Sequence, residues 1–267
     1  MMTNLIKHTF VICAYKESPY LEACIKSLLL QTSVKEKIST ILIYTSTPNK
    51  YISSIATKYN LAVHTGIGGG IGNDWNNALS ATNTKYVTIA HQDDIYDPLY
   101  GKRILELFNS KENINLVFSD YYEIDENDER RKRNINLKIK TLALRILSLS
   151  DNKKYQRRIY AFGNFICCPA VSYNMEKLSD FKFDNTLKMA VDWDAWERIM
   201  KRSGFIRYIP ERLMAHRIHS ESETTNNTID KNREKEEYDM FRRYWGENIT
   251  KILMNFYTNN QKGNEEH

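Results

Sequence analysis

Runs of apolar residues divide the first half of the chain into short strands and amphipathic helices. Residues 8–14, HTFVICA, form a compact apolar run with β-branched content and read as a buried strand. Ser18-Pro19 follows, with Ser as a helix N-cap and Pro at the first helical position. Leu21, Cys24, Ile25, Leu28 and Leu29 then mark one helical face. A second strand is expected at 38–45, ISTILIYT. Pro48-Asn49 breaks the pattern, and a short helix near 50–59 leads to a third strand at 61–64. A glycine-rich stretch at 66–72 precedes a helix at 73–82 and a strongly apolar strand at 85–90, KYVTIA. Asp97-Pro98 starts a further helix with Asp97 as its cap and Ile104, Leu105 and Phe108 inward; residues 115–119 make another strand. Strands alternating with helices at this spacing predict an α/β fold with a mostly parallel sheet and right-handed crossovers.

The order loosens after residue 120. Residues 123–134 are highly charged and include Arg130-Arg131-Lys132-Arg133. A helix is expected near 136–149, a strand at 165–173, a helix at 189–203 stopped by Gly204, and strands at 205–209 and 213–218. From residue 226 the chain is polar with a helical pattern. There is no internal repeat, so the chain divides into one α/β domain over 1–225 and a helical C-terminal appendage over 226–267.

Of the 267 residues, 42% are hydrophobic and 27% charged, as in a soluble globular protein. Residues 1–14 lack the apolar core of a secretory signal, and no run approaches the roughly 20 apolar residues of a spanning helix. A net charge of +5 suits a polyanionic ligand such as a nucleotide diphosphate, or an anionic membrane surface. It is too small to argue for nucleic acid. Cys13, Cys24, Cys167 and Cys168 make no CxxC pair, which points to free thiols in a reducing cytosol.

In an open parallel sheet, ligands bind beyond the carboxyl ends of the strands. The first strand ends in Ala14-Tyr15-Lys16-Glu17 and the second in Tyr44-Thr45-Ser46. The 85–90 strand runs into His91-Gln92-Asp93-Asp94. Adjacent carboxylates there fit Mg²⁺ or Mn²⁺, which take oxygen ligands and neutralise a diphosphate; a solvated turn is the other reading. Asp192 shares a helical face with Ala195, Trp196 and Ile199. A carboxylate on an apolar face is costly without partners, and this one fits a general base; a helix-dipole contact also accounts for it. The cluster Gly66, Gly68, Gly69, Gly70 and Gly72 fails the GxGxxG pattern in every register, leaving a loop that closes over a ligand or a structural turn. In HRIHSES (216–222), His219 is a candidate metal ligand and Arg217 a candidate phosphate contact, with a purely structural histidine pair as the alternative. The basic run 130–133, beside Leu137, Ile139, Leu142, Ile146 and Leu147, reads as a segment resting on an anionic membrane or as a solvated charge run before a packed helix.

Five segments in order resemble the family 2 glycosyltransferases of the GT-A fold. They are VICAYKESPYLEACIKSLLLQT, IGNDWNNALSATNTKYVTIAHQDDIYDP, GNFICCPAVSY, VDWDAWERI and HRIHSESET, together spanning about residues 8–225. The resemblance implies a GT-A domain that moves a sugar from a nucleotide-sugar donor, a UDP-sugar first among them, to a saccharide or lipid-linked acceptor hydroxyl. It implies inversion at the sugar and a Mg²⁺ or Mn²⁺ cofactor. It implies Asp192 as the catalytic base and Asp93, Asp94 and His219 around the metal. It places Ala14, Tyr15, Glu17, Thr45, Asn77, Gln92 and Asp93 on the nucleotide-sugar. Two positions depart from the family pattern: Tyr44-Thr45-Ser46 stands where an acidic pair is common, and His91 where the first Asp of the DXD-type motif is usual. Surface polysaccharide or glycolipid assembly at the inner face of a membrane would suit such an enzyme.

Three other classes compete. An inactive nucleotide-sugar-binding protein of the same fold would bind without turnover. A sugar nucleotidyltransferase would carry a glycine-rich basic loop after the first strand, where Tyr15-Lys16-Glu17-Ser18-Pro19 has no glycine. A dehydrogenase would carry the GxGxxG fingerprint that fails here.

Overall fold

The structure is a computed structural model and describes residues 6–220 and 231–262. Its first half alternates β1 (His8–Ala14), α1 (Leu21–Leu29), α2 (Thr32–Lys35), β2 (Ser39–Thr45), α3 (Lys50–Lys58), β3 (Ala62–Thr65), α4 (Ile71–Ser80), β4 (Tyr86–His91), the short β5 (Ile95–Tyr96) and α5 (Tyr100–Ser110). The second half holds β6 (Ile114–Ile124), α6 (Ile135–Leu147), α7 (Lys153–Tyr160), β7 (Val171–Asn174), α8 (Val191–Lys201) and β8 (Phe205–Arg217). A pair of C-terminal helices, Lys231–Arg242 and Glu247–Lys262, follows.

One eight-stranded sheet has the order β3-β2-β1-β4-β7-β6-β8-β5. The β3, β2, β1 and β4 strands are mutually parallel, β7 is antiparallel to both β4 and β6, and β8 is parallel to β6. The β5 strand runs against β8. Six strands therefore point one way and two the other. The carboxyl ends of β1, β2, β4, β6 and β8 share one edge, which is the mostly parallel sheet the sequence predicts.

Alternation along β1 feeds two cores. Phe10 and Ile12 join Leu21, Ile25, Leu28 and Tyr100 on one face. Val11 joins Trp75, Phe118, Trp193 and Trp196 on the other. Met240, Phe241 and Met254 of the C-terminal pair are buried in this second core, so that pair packs on the sheet's helical layer. The boundary expected at 225/226 lies outside the described residues, as do residues 221–224 of the last resembling segment.

Several expected boundaries move. The Ser18 hydroxyl accepts from the Tyr20 N–H and its carbonyl from Leu21 N–H, so α1 starts at Leu21 and not at Pro19. Asp97 likewise accepts from Leu99 N–H at 2.9 Å, and α5 starts at Tyr100. Both residues build the turn before the helix, a competing use of the same short polar side chains. Only Val171–Asn174 of the expected 165–173 strand pairs; Cys168–Ala170 is a 3₁₀ turn around Pro169. The two strands expected at 205–218 are one. Its ladder jumps from Ser119–Ile209 to Asp120–Arg212, across Pro210, which has no N–H to give. The sequence pattern also missed α7, whose KKYQRRIY is too charged to show an apolar stripe, although Asn152 caps it by accepting from Lys154 and Tyr155 N–H.

Candidate active site

The β4 strand releases its chain at the sheet edge as His91-Gln92-Asp93-Asp94, and β8 ends beside it. Pairing of β5 with Met214 and Ala215 holds the two ends together. Asp94 is fully buried. Its Oδ1 accepts from Arg217 N–H (2.9 Å) and meets His216 Nδ1 (3.0 Å). Its Oδ2 has no partner among the described residues, and neither has the buried His91 Nε2. Asp93 Oδ2 lies 3.1 Å from His219 Nε2. Burial works against the Asp93 charge, but the His219 hydrogen bond and the nearby His91 and His216 rings hold its carboxyl below the usual range. Burial also opposes a charge on His216, yet Asp94 and Asp93 together lift it to about 9.

His91, Asp93 and Asp94 each offer a ligand atom, and these atoms lie within 4.8 Å of one another. A buried carboxylate oxygen and a buried imidazole nitrogen, both without partners, are costly when left bare. Two carboxylates and an imidazole suit a divalent ion, so the donor set fits the metal the sequence suggests. His219 touches Asp93 and lies tilted against Tyr20, ring centroids 4.9 Å apart, at the margin of this cluster. Arg217 is otherwise employed than expected. It is 1% exposed, donates to Asp93 O and Asp125 O, pairs with Asp128, and lies over the Tyr20 ring. Its Nε, Nη1 and Nη2 each have a protein partner, and these contacts fix the end of β4.

Asp192 lies in the first turn of α8. That helix runs back to the start of β8, so its N-terminus sits at the same sheet edge. Asp192 Oδ1 accepts from Trp193 N–H (2.7 Å) and Oδ2 from Asn164 Nδ2 (2.8 Å). The Asn164 carbonyl in turn takes the Tyr160 hydroxyl, which fixes the amide with its nitrogen toward the acid. Burial outweighs these donors and pushes the Asp192 carboxyl above its ordinary value. At the 3₁₀ turn before β7, the Cys167 and Cys168 thiols are both raised by burial and, further, by the charges of Asp94 and Asp192. All four cysteines are free.

The remaining predicted residues sit around the ends of β1, β2 and β4. Tyr15 and Glu17 are exposed, and Ala14 is buried beneath them. Gln92 uses both ends of its amide on the Tyr15 backbone, accepting from its N–H and donating to its carbonyl, and so ties the β1 and β4 loops together. Thr45 is fully buried, and its hydroxyl accepts from Thr47 N–H, shaping the turn after β2. Asn77 donates to Tyr44 Oη and toward Ile67 O.

Sequence reasoning missed Asp74. From α4 it accepts from Ser46 Oγ (3.0 Å) and Tyr44 Oη (3.4 Å), placing a carboxylate at the tip of β2, where Tyr44-Thr45-Ser46 supplies none. The glycine cluster is shaped by backbone demands. Gly69 and Gly70 have φ of 140° and 97°, and a Cβ on Gly72 would come within 2.7 Å of Asp184 O. Two hollows, of about 570 and 700 Å³, lie away from this edge. The first is crowded by ion pairs of Asp194 and Glu197, the second faces the amino ends of the strands, and neither includes residues 91–94 or Asp192.

A mixed sheet with this order, an acidic cluster after its fourth strand and a half-buried acid on the helix before its last long strand define a glycosyltransferase of the GT-A fold. Residues 9–181 match the family model "Glycosyl transferase family 2", and the chain belongs to that family. The match ends before Asp192. The chain is 25% identical over 215 residues to an uncharacterized glycosyltransferase of Methanocaldococcus jannaschii, covering 78% of this chain and 69% of that one. Among solved structures it resembles S. aureus TarS 1-349 in complex with UDP-GlcNAc. That likeness has a TM-score of 0.65 and 14% identity, over 93% of this chain and 70% of that one. It also resembles the mannosyltransferase PcManGT from Pyrobaculum calidifontis in complex with GDP-Man and Mn²⁺. Here the TM-score is 0.62 with 13% identity, over 89% of this chain and 63% of that one. Among the described residues no helix is long and apolar enough to cross a membrane.

Proposed function

We propose that this glycosyltransferase moves a sugar from a nucleotide-diphosphate donor to an acceptor hydroxyl with inversion, using Asp192 as base and Mg²⁺ or Mn²⁺ as cofactor. The observation that carries the reading is the presence, at one sheet edge, of an acidic cluster with bare ligand atoms around the buried Asp94 and of a second, half-buried carboxylate of raised pKa, Asp192. His91, Asp93 and Asp94 would hold the metal, with His219 beside them. The ion supplies positive charge for the departing nucleoside diphosphate. Asp192 takes the proton of the acceptor hydroxyl as that oxygen bonds to the anomeric carbon and the bond to the diphosphate oxygen breaks. Asn164, held by Tyr160, keeps the carboxylate aimed. No second carboxylate is needed as a nucleophile under the sugar, in contrast to retaining hydrolases.

Tyr15, Glu17, Asn77 and Asp74 line the approach to the β1 and β2 ends and suit the nucleoside, with Ala14, Thr45 and Gln92 shaping the loops beneath. A UDP-sugar is the first donor to test and a GDP-sugar the second, after the ligands held by TarS and PcManGT. The acceptor is a saccharide or a lipid-linked glycan, as in surface polysaccharide or glycolipid assembly on the cytoplasmic side of a membrane; nucleic acid is not a partner. The test is calorimetric titration of nucleoside diphosphates with Mn²⁺ and with chelator, beside single-turnover transfer by Asp192→Asn. Metal-dependent binding that survives in Asp192→Asn, with transfer reduced about 10²–10⁴-fold, is expected. Binding indifferent to chelator would remove the metal, and normal turnover in Asp192→Asn would remove the base.

A further inference from the structure

Helix α6 is apolar on two opposite sides. Its inner side buries Leu137, Thr141, Leu144 and Leu147 against the protein. Its outer side leaves Ile135, Ile139, Leu142 and Ile146 exposed, continued by Leu149 just past the helix end at 77% exposure. At 100° per residue these outer positions fall in one stripe about 80° wide, running about 21 Å along the axis. A helix apolar all round belongs in a core or against a second apolar phase, and this one has a core on one side only.

Charge identifies that second phase. The helix, INLKIKTLALRIL, contains Lys138, Lys140 and Arg145 and no carboxylate. Lys138 and Arg145 are exposed and border the stripe, and Arg130 and Lys132 are exposed in the preceding segment. Arg133 is turned inward onto Leu137 O and Thr141 and takes no part. A second copy meeting this face through its own would set cation beside cation. Lipid phosphates would answer the charge while acyl chains took the stripe.

We propose that α6 lies in the surface of an anionic bilayer with Ile135, Ile139, Leu142 and Ile146 immersed and Lys138 and Arg145 at the headgroups. The helix cannot cross the bilayer, so it rests in the interface. The inner side of the same helix packs Leu144 and Leu147 into the core that holds Tyr160, Ile166 and Val191, and Tyr160 bonds the Asn164 that bonds Asp192. A bilayer on the outer side would thus lie one helix layer, roughly 10 Å thick, beyond the packing that holds Asp192. Resting on the transfer reaction proposed above, this selects a lipid-linked acceptor over a freely diffusing one.

The test is flotation of the full chain with phosphatidylcholine vesicles, with and without phosphatidylglycerol. The wild type is expected to float with the anionic vesicles alone. Ile139→Glu/Leu142→Glu and Lys138→Glu/Arg145→Glu should each bind at least tenfold more weakly while melting normally and keeping Mn²⁺-dependent nucleotide binding. Asp192→Asn should float as the wild type does. Equal binding to both vesicle types, wild-type binding by either double variant, or a dimer split by Ile139→Glu/Leu142→Glu in a protein that ignores vesicles would each overturn the proposal. Because no donor is present, a protein that floats but binds no nucleotide refutes the transfer reading and leaves this surface standing.

Discussion

Glu236, on the first C-terminal helix, accepts from the N–H groups of Lys188, Met189 and Ala190 at 2.8–2.9 Å, immediately before α8. These donors lie at and just before the N-cap Ala190, outside the intrahelical ladder, and Ala190 carries no side-chain cap. Arg243 reinforces the contact by reaching Asp194 Oδ1 at 2.6 Å, and Phe241 meets Trp193 edge-on at 4.9 Å. The C-terminal pair therefore grips the turn that carries Asp192. Hydrogen bonds to a charged acceptor stabilise by about 1.5–3 kcal/mol apiece. Three donors share one carboxylate, and the Lys188 contact is open to water, so Glu236→Ala should cost about 2–4 kcal/mol in total. For a chain of this size that lowers Tm by about 4–7 °C. Glu236→Gln keeps an acceptor oxygen and should lose less. Since a shift of about 1 Å in a reacting group costs about 10²-fold in rate, kcat should fall further than donor affinity. Thermal melts and steady-state kinetics at saturating donor, at a temperature where each variant is folded, separate the two effects. If Glu236→Ala melts with the wild type and keeps its kcat, the C-terminal pair does not hold α8.

Other outcomes follow from the same geometry. Because burial raises the Asp192 carboxyl, the acid limb of kcat/KM should lie above the ordinary carboxylate value and disappear in Asp192→Asn; a limb at the usual value argues against this base. A carboxyl raised in the folded state favours folding most below its unfolded pKa, and that advantage is lost as pH rises through the folded value. Asp192→Asn should accordingly melt higher than the wild type at neutral pH, and a lower Tm would show that the charge is welcome where it lies. Asp93→Ala should abolish the rise in Tm that Mn²⁺ gives the wild type, worth about 2.7 kcal/mol at a hundredfold excess over Kd. Gly72→Ala would press a methyl group on the Asp184 carbonyl and should cost about 1–3 kcal/mol by urea unfolding, with unchanged stability ruling out the close approach.

What the sequence disclosed was local. The β1 run, the apolar strand ahead of His91-Gln92-Asp93-Asp94 and the α8 pattern around Asp192 are each written within a dozen residues, and each was readable. Asp74 at the tip of β2, Asn164 against Asp192 and Glu236 beneath α8 join positions 28 to 48 residues apart, and no periodicity announces them. Arg217 shows another kind of long-range link: its residue type suggests phosphate, while the structure also ties it to the Asp125–Asp128 turn and the Asp93 carbonyl. Ser18 and Asp97 were correct as punctuation and misplaced by two to three residues, because a short polar side chain serves a turn as readily as a cap.

The adjacent sulfurs of Cys167 and Cys168 sit between two carboxylates, in surroundings that hold both as thiols at neutral pH. Alkylating reagents and disulfides attack the thiolate, so these residues are chemically quiet despite their place beside the cleft. A purified sample should keep its thiol titre in air without added reductant, and iodoacetamide should label this pair slowly while the protein is folded.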